Sequence, residues 1–229
     1  MLVAFSGGKD STALALRLHE LGESFALMHT ATGNELPGVR EHIERVSRAC
    51  GAPIVDLGAP TLEELIREQQ CLPNWRMRWC TRMIKIEPAL AFYDSIPGET
   101  VCVGLRSDEE GRMGIEADAG VNIRYPLREW GWGVGDVVGY CERMGFAPPA
   151  RTDCAVCFYQ TLREWYDLYR EYPEEYQRGI DWEESVGHTF RSPQRDSQPA
   201  SLADLRVQFD LGYVPKSRRR KIMCRLCAA

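Results

Sequence analysis

No stretch of the 229-residue chain approaches the roughly 18 consecutive apolar residues that a membrane helix needs, so no spanning helix and no membrane partner are expected. Positive charge is also in deficit. Lys and Arg number 28 against 33 Asp and Glu, leaving a formal net charge of −5, which argues against a surface that coats nucleic acid overall but leaves room for a local basic patch. No basic-then-apolar leader precedes the first apolar run, which starts at residue 2, and the expectation is a cytoplasmic protein. The Walker spacing G-x-x-x-x-G-K-[ST] is missing, which disfavours a kinase or GTPase of that type. No internal repeat or low-complexity block is evident. Cysteine, by contrast, is abundant: nine in a chain without an export signal read as metal ligands, redox thiols or core residues rather than as a disulfide framework.

The rest of the chain is organised around Leu2-Val3-Ala4-Phe5 followed at once by Ser6-Gly7-Gly8-Lys9-Asp10-Ser11. An apolar strand, a two-glycine turn and the helical pattern that begins at Thr12 form a phosphate cradle. Glycines let the backbone approach an anion, the loop N–H groups point inward, and the positive end of the new helix faces the ligand.

Beyond it, Ser24–His29 and Pro53–Asp56 read as strands separated by a helical pattern at Val39, Ile43 and Val46, and Thr100–Leu105 as a fourth strand. Thr61 with Glu64, and Ser201 with Asp204, carry helix-start signatures. Residues 111–122 read as a glycine-rich loop, either a lid over the strand ends or a solvated segment. Val134, Val137, Val138, Cys141 and Met144 predict one amphipathic helix, and a long helical stretch is expected from Cys157 to Tyr172, with another after Pro173. The fold class is therefore α/β, a Rossmann-like parallel sheet flanked by helices with a helical, cysteine-containing C-terminal region. The expected division is a nucleotide-binding domain over residues 1–150 and a helical region over 151–229 packed on it. Cys50, Cys71, Cys102 and Cys141 stand alone and are expected to pack as small hydrophobes.

The loop Ser6 to Ser11 resembles the S-G-G-x-D-S loop of the PP-loop ATP pyrophosphatases. Thr32-Gly33-Asn34-Glu35-Leu36-Pro37 resembles the T-G-x-x-x-P segment of the PAPS reductases. Gly104-Leu105-Arg106 with Asp108 and Glu109 is similar to their G-x-R-x-x-E stretch, and Pro126, Leu127, Trp130, Asp136 and Val137 to their P-L-x-x-W-x-x-x-D-V block. On these motifs the chain resembles the PAPS-reductase-like family of the adenine nucleotide α-hydrolase superfamily. The resemblance implies that Ser6, Gly7, Gly8, Lys9, Asp10, Ser11 and Gly33 bind an adenine nucleotide, ATP or an adenylyl sulfate, with Arg106 as a second anion contact. Lys9 and Mg²⁺ would stabilise charge building on the phosphates.

Aligning Lys85-Ile86-Glu87-Pro88 with the iron–sulfur adenylyl sulfate reductases puts Cys80 on the first of their tandem cysteines, Thr81 on the second, and Cys154 and Cys157 on the distal C-x-x-C. Cys224 or Cys227 would complete the set or carry sulfur. Four thiolates suit a 4Fe–4S cluster or a zinc ion, and an unmetallated redox state is also open.

The tail Met223-Cys224-Arg225-Leu226-Cys227 lacks the Gly and His of the reductases' E-C-G-x-H ending, whereas the loop keeps the ATP-type residues. The expectation is an ATP-dependent sulfurtransferase, similar to the DNA phosphorothioation enzyme or the cluster-dependent tRNA thiolases. Lys9, Arg106, Cys224 and Cys227 would be its catalytic candidates, and a sulfur-donor protein and a nucleic-acid substrate its partners. The alternatives are a phosphoadenylyl or adenylyl sulfate reductase, and a zinc-stapled nucleic-acid-binding module. The latter would use Arg218–Lys221 and the Arg/Trp cluster from Trp75 to Trp79.

Overall fold

The computed structural model describes residues 1–109, 111, 120–149 and 151–216. In chain order the elements are β1 (Leu2–Ala4), α1 (Lys9–Glu20), β2 (Ala26–His29), α2 (Val39–Cys50), β3 (Ile54–Asp56), α3 (Leu62–Gln69), α4 (Trp79–Thr81), a π-helical segment (Arg82–Ile86), α5 (Glu87–Asp94), β4 (Thr100–Cys102), a 3₁₀ turn (Ser107–Glu109), β5 (Asn122–Arg124), α6 (Pro126–Glu129), α7 (Val134–Arg143), α8 (Leu162–Glu171), α9 (Pro173–Val186) and α10 (Leu202–Asp210). No helix among the described residues is long and apolar enough to cross a membrane.

The chain forms two compact units. The first comprises Met1–Ala31, Glu35–Ala59 and Met83–Asp153; the second comprises Thr32–Asn34, Pro60–Arg82 and the chain from Cys154 onward. The first unit is the α/β layer structure. Its sheet has the order β3-β2-β1-β4-β5 with every pair parallel, Leu2 opposite Ala26 on one side and Val101 on the other. Strand order reverses between β1 and β4, and in open α/β sheets the crevice beyond the carboxyl ends of two such strands is where ligands sit. Val3, Leu27, Val101 and Cys102 are fully buried in the middle strands. On one face Ala89 and Tyr93 of α5 pack with Leu2, Met28 and Val101. α1 contributes Ala13, Leu14, Ala15, Leu16 and Leu18, all buried, and packs with α7.

The buried side of α7 is Val137, Tyr140 and Cys141, while Val138 and Met144 are exposed, so the amphipathic stripe is narrower than the apolar pattern implies. Cys50, Cys102 and Cys141 are buried, and burial pushes each thiol up to about 11.

In the second unit α8, α9 and α10 pack around Trp165, Tyr176, Leu202, Leu205 and Phe209. α8 begins only at Leu162, because Thr161 and Glu164 form a reciprocal capping box there. The preceding residues 154–160 are a non-helical turn rather than the predicted start of a helix. Glu183 on α9 is buried and accepts the backbone N–H groups of Phe190 (2.8 Å) and Leu202 (2.7 Å). Burial raises its pKa from the ordinary 4.5 to about 7, against the pull of those N–H groups and of Arg191. A raised carboxyl pKa means the native state holds a proton that the unfolded chain releases. The corresponding stability is present in full below about pH 4.5 and is lost as pH rises through about 7. The urea midpoint should therefore fall between about pH 5 and pH 8, by up to about 3 kcal/mol of stability. Glu183→Gln should flatten that slope; an unchanged slope assigns the pH dependence to other groups.

Candidate functional site

The first site is built where β1 and β4 end. β1 runs out through Phe5, whose N–H binds the Met28 carbonyl at 2.8 Å, into Ser6, Gly7 and Gly8. Gly7 sits at φ +73°, and a Cβ there would stand 3.0 Å from Ile43 Cγ1, so both conformation and space demand glycine. Gly8 is the N-cap of α1, and the Thr12 N–H closes the first helical bond onto the Gly8 carbonyl at 2.9 Å. The N–H groups of the first turn lack helical partners and carry the positive end of the helix dipole. Ser11 Oγ donates to the Gly8 carbonyl at 3.1 Å and lies 3.4 Å from both the Ser6 N–H nitrogen and Ser6 Oγ. The two serines thus tie the loop to the helix start.

Asp10 is the electrostatic centre. Its Oδ2 is shared by Lys9 Nζ at 3.1 Å and Arg106 Nη1 at 2.8 Å, while its Oδ1 is buried with no hydrogen-bond partner among the described residues. Arg106 arrives from the β4 exit and is only 5% exposed. Its Nε meets Asp108 at 2.8 Å and its Nη2 meets Glu109 at 3.5 Å, so three carboxylates surround one guanidinium. Burial works against the charge of Asp108, but the Val134 N–H at the start of α7 and Arg106 more than offset it and hold its pKa below the ordinary value. Gly104 makes this geometry available. A Cβ there would stand 3.2 Å from the carbonyl carbon of Asp10 and from the Ser11 nitrogen, backbone atoms with little freedom to yield. Thr152, which sequence reading did not single out, places its Oγ1 3.3 Å from where a Gly8 Cβ would be. Behind the loop, Cys141 Sγ lies 3.6 Å from the Lys9 carbonyl, and Thr12 is hydrogen-bonded to buried His42 at 2.9 Å. Burial and Arg45 lower the His42 pKa, which favours the neutral imidazole.

The second unit carries the remaining candidates. Gly33, at φ +67°, lies against Thr61, where a Cβ would meet Thr61 Cγ2 at 2.9 Å, and the Thr32 carbonyl accepts the Leu62 N–H that opens α3. Asn34, fully buried, brackets the turn that bears Cys154 and Cys157. Its Nδ2 donates to the Val156 carbonyl at 2.8 Å, its Oδ1 accepts the Val156 N–H at 3.1 Å, and its own carbonyl accepts the Ala155 N–H at 2.6 Å. A second buried amide closes the turn from the other end. Gln160 accepts the Cys157 N–H at 2.8 Å and donates to the Ala155 carbonyl at 3.1 Å. Cys80 lies on α4, and nearby Arg78 stands over the Tyr159 ring at 5.7 Å, so the Cys80 segment and the Cys157 segment are neighbours within this unit.

Cys80, Cys154 and Cys157 are partly exposed and outside any disulfide, which suits them chemically to a soft metal or to redox work. Among the described residues, however, no group of three or more His, Cys, Asp or Glu side chains is placed to hold a metal ion. Cys224, Cys227 and Arg218–Lys221 lie outside the described residues, as do residues 112–119 of the expected lid.

The family model of the phosphoadenosine phosphosulfate reductase domain matches residues 1–132. The chain belongs to this family. The matched span holds both the loop and Arg106. Among solved structures, the PAPS reductase of Candida auris in its phosphate complex is 18% identical, with 63% of this chain and 72% of that chain covered and a TM-score of 0.50. The U34-tRNA thiolase NcsA of Methanococcus maripaludis, solved with its 4Fe–4S cluster, is 15% identical, with 89% of this chain and 78% of that chain covered and a TM-score of 0.50. At these identities the likeness is one of fold, and it agrees with the parallel α/β architecture of this PAPS-reductase-family chain. No curated protein gives a significant sequence match.

Proposed function

We propose that this PAPS-reductase-family protein is an enzyme that binds ATP at the Ser6–Ser11 loop and uses its cysteines in sulfur transfer. The observation that carries the nucleotide half is Asp10. One of its oxygens is shared by Lys9 and Arg106 and the other is buried without a partner, beside a helix start with unpaired N–H groups. Two cations face three carboxylates in this cluster, so it is net negative, and phosphates enter it favourably only with a divalent cation such as Mg²⁺, for which the unpartnered Asp10 oxygen is a suitable donor. Loop N–H groups and Lys9 would then hold the pyrophosphate portion, and Arg106 would act by fixing Asp10 rather than by contacting phosphate. With ATP bound, attack of an acceptor oxygen on the α-phosphorus breaks the bond to pyrophosphate, and a sulfur nucleophile subsequently displaces AMP. Charge building on the leaving phosphates is what the loop would stabilise.

For the sulfur half, Cys154 and Cys157 on their clamped turn and Cys80 supply donors of the right chemistry, with Cys224 or Cys227 as the remaining candidate; zinc would use the same thiols. A thiolate-held 4Fe–4S cluster would supply a site that carries or positions sulfur. The thiolase that shares this fold contains such a cluster. The family match also keeps a PAPS or adenylyl sulfate reductase as the second reading.

Calorimetry with Mg·ATP and with PAPS separates the two. ATP binding that disappears in Asp10→Ala is the expected result, and binding of PAPS alone would replace ATP by an adenylyl sulfate. Anaerobic purification should yield iron and acid-labile sulfide; a colourless protein with stoichiometric zinc would remove the cluster from the proposal.

A further inference from the structure

The nucleotide loop and the cysteine turn leave one built feature of the second unit without a role. Residues 73–77 form a closed turn in which Asn74 Oδ1 accepts the N–H groups of Arg76 and Met77, each at 2.9 Å, and the Asn74 N–H reaches the Met77 carbonyl at 3.2 Å. Leu72 and Pro73 are buried and anchor it. At its tip Trp75 is 61% exposed, Met77 is exposed beside it, and the Arg76 guanidinium stacks on the indole at 4.7 Å. An exposed tryptophan held on a fixed turn gains nothing for the core, since its large apolar surface remains in water. The segment that carries it is one-sided in charge. From residue 69 to residue 82 the chain carries Arg76, Arg78 and Arg82 and no acidic residue, within a protein of net charge −5.

We propose that this turn is a docking site for single-stranded nucleic acid, with an unpaired base stacked on Trp75 and flanking phosphates met by Arg76 and its basic neighbours. An aromatic face paired with guanidinium groups is how single strands are held without sequence readout. A duplex hides its base faces and would engage only the charges. A protein partner would find an apolar contact of little more than one tryptophan and one methionine. The site lies shortly before Cys80 in the sequence. The inference deepens the sulfur-transfer reading by naming the acceptor's class, and it rests on that reading only in this respect.

Fluorescence anisotropy with labelled single strands of one sequence, as RNA and as DNA, and with the matching duplex, tests it on the full-length protein. Single strands should bind more tightly than the duplex, and a preference between the two polymers identifies which one docks. Trp75→Ala should weaken binding by about fivefold to a hundredfold with an unchanged thermal midpoint, and Trp75→Phe should recover most of it. Arg76→Gln should flatten the dependence of log K on log salt by about 0.7, the share of a single phosphate on a single strand. Equal affinity of wild type and Trp75→Ala, a duplex preference, or no binding at low salt would each overturn the proposal. Absence of iron and sulfide alongside Trp75-dependent binding would instead sink the cluster and leave the docking site standing.

Discussion

Arg106→Ala is expected to cost about 3–5 kcal/mol of stability, a large share of the roughly 5–15 kcal/mol available to a typical domain. The reason is what the substitution leaves behind. Asp10, Asp108 and Glu109 face one almost fully buried guanidinium, and without it three carboxylates converge on one site. Nucleotide binding should be lost in the same variant, because Asp10 loses the partner that fixes its orientation. Arg106→Lys should recover only part of the stability, since an ammonium cannot meet three carboxylates in fork geometry. Adding Asp108→Asn to Arg106→Ala should cost less than the sum of the single effects, as removing one of the stranded charges relieves repulsion. Urea unfolding of the four proteins measures all of this. An Arg106→Ala variant within about 1 kcal/mol of wild type would mean that the cluster is as weakly coupled as surface pairs.

Asn34→Ala should have the second largest effect, and a local one. It deprives the buried Val156 carbonyl and N–H of both their side-chain partners at once. An unsatisfied buried backbone group costs about 1–3 kcal/mol, so the turn between Cys154 and Cys157 should open far more often. Amide hydrogen exchange at Ala155, Val156 and Cys157 should accelerate, and Cys154 and Cys157 should alkylate faster, while Asp10-dependent ATP binding persists. Asn34→Asp keeps the acceptor for the Val156 N–H but sets a carboxylate against the Val156 carbonyl, and should not rescue. Unchanged exchange at these three amides would show that Gln160 and the Asn34 backbone carbonyl hold the turn without the Asn34 side chain.

These two clusters also mark the limit of what a linear reading finds. The strand–loop–helix at Ser6, the capping box at Thr61 and Glu64, and the helix after Pro173 are local arrangements, in which residues a few positions apart decide the outcome. The capping box and the helix after Pro173 appear where the pattern puts them, and α1 starts at Lys9, three residues ahead of the pattern that begins at Thr12. β5 is not legible because three residues, Asn122 to Arg124, with one apolar side chain carry no periodicity; only their pairing with β4 makes them a strand. The helix expected from Cys157 is delayed because Gln160 and Asn34 take up the backbone groups of the cysteine turn, an arrangement in which Asn34 comes from far away in the chain. Thr161 with Glu164 was the available signal for the true helix start. Arg106 was visible as a charged residue at a strand exit. Its surroundings were not, because Asp10 reaches it only through the crossover between β1 and β4.

The burial of Cys50, Cys102 and Cys141 bears on selectivity among nine identical side chains. A thiol with a pKa near 11 is ionised in only about one molecule in ten thousand at neutral pH. Those three sulfurs are silent toward electrophiles, oxidants and soft metals by protonation as well as by access. Under the proposed sulfur-transfer function, the protein would have to keep its own thiols from becoming acceptors. Burial in the sheet and its helices would supply that discrimination, leaving reactivity to the cysteines that the core does not cover.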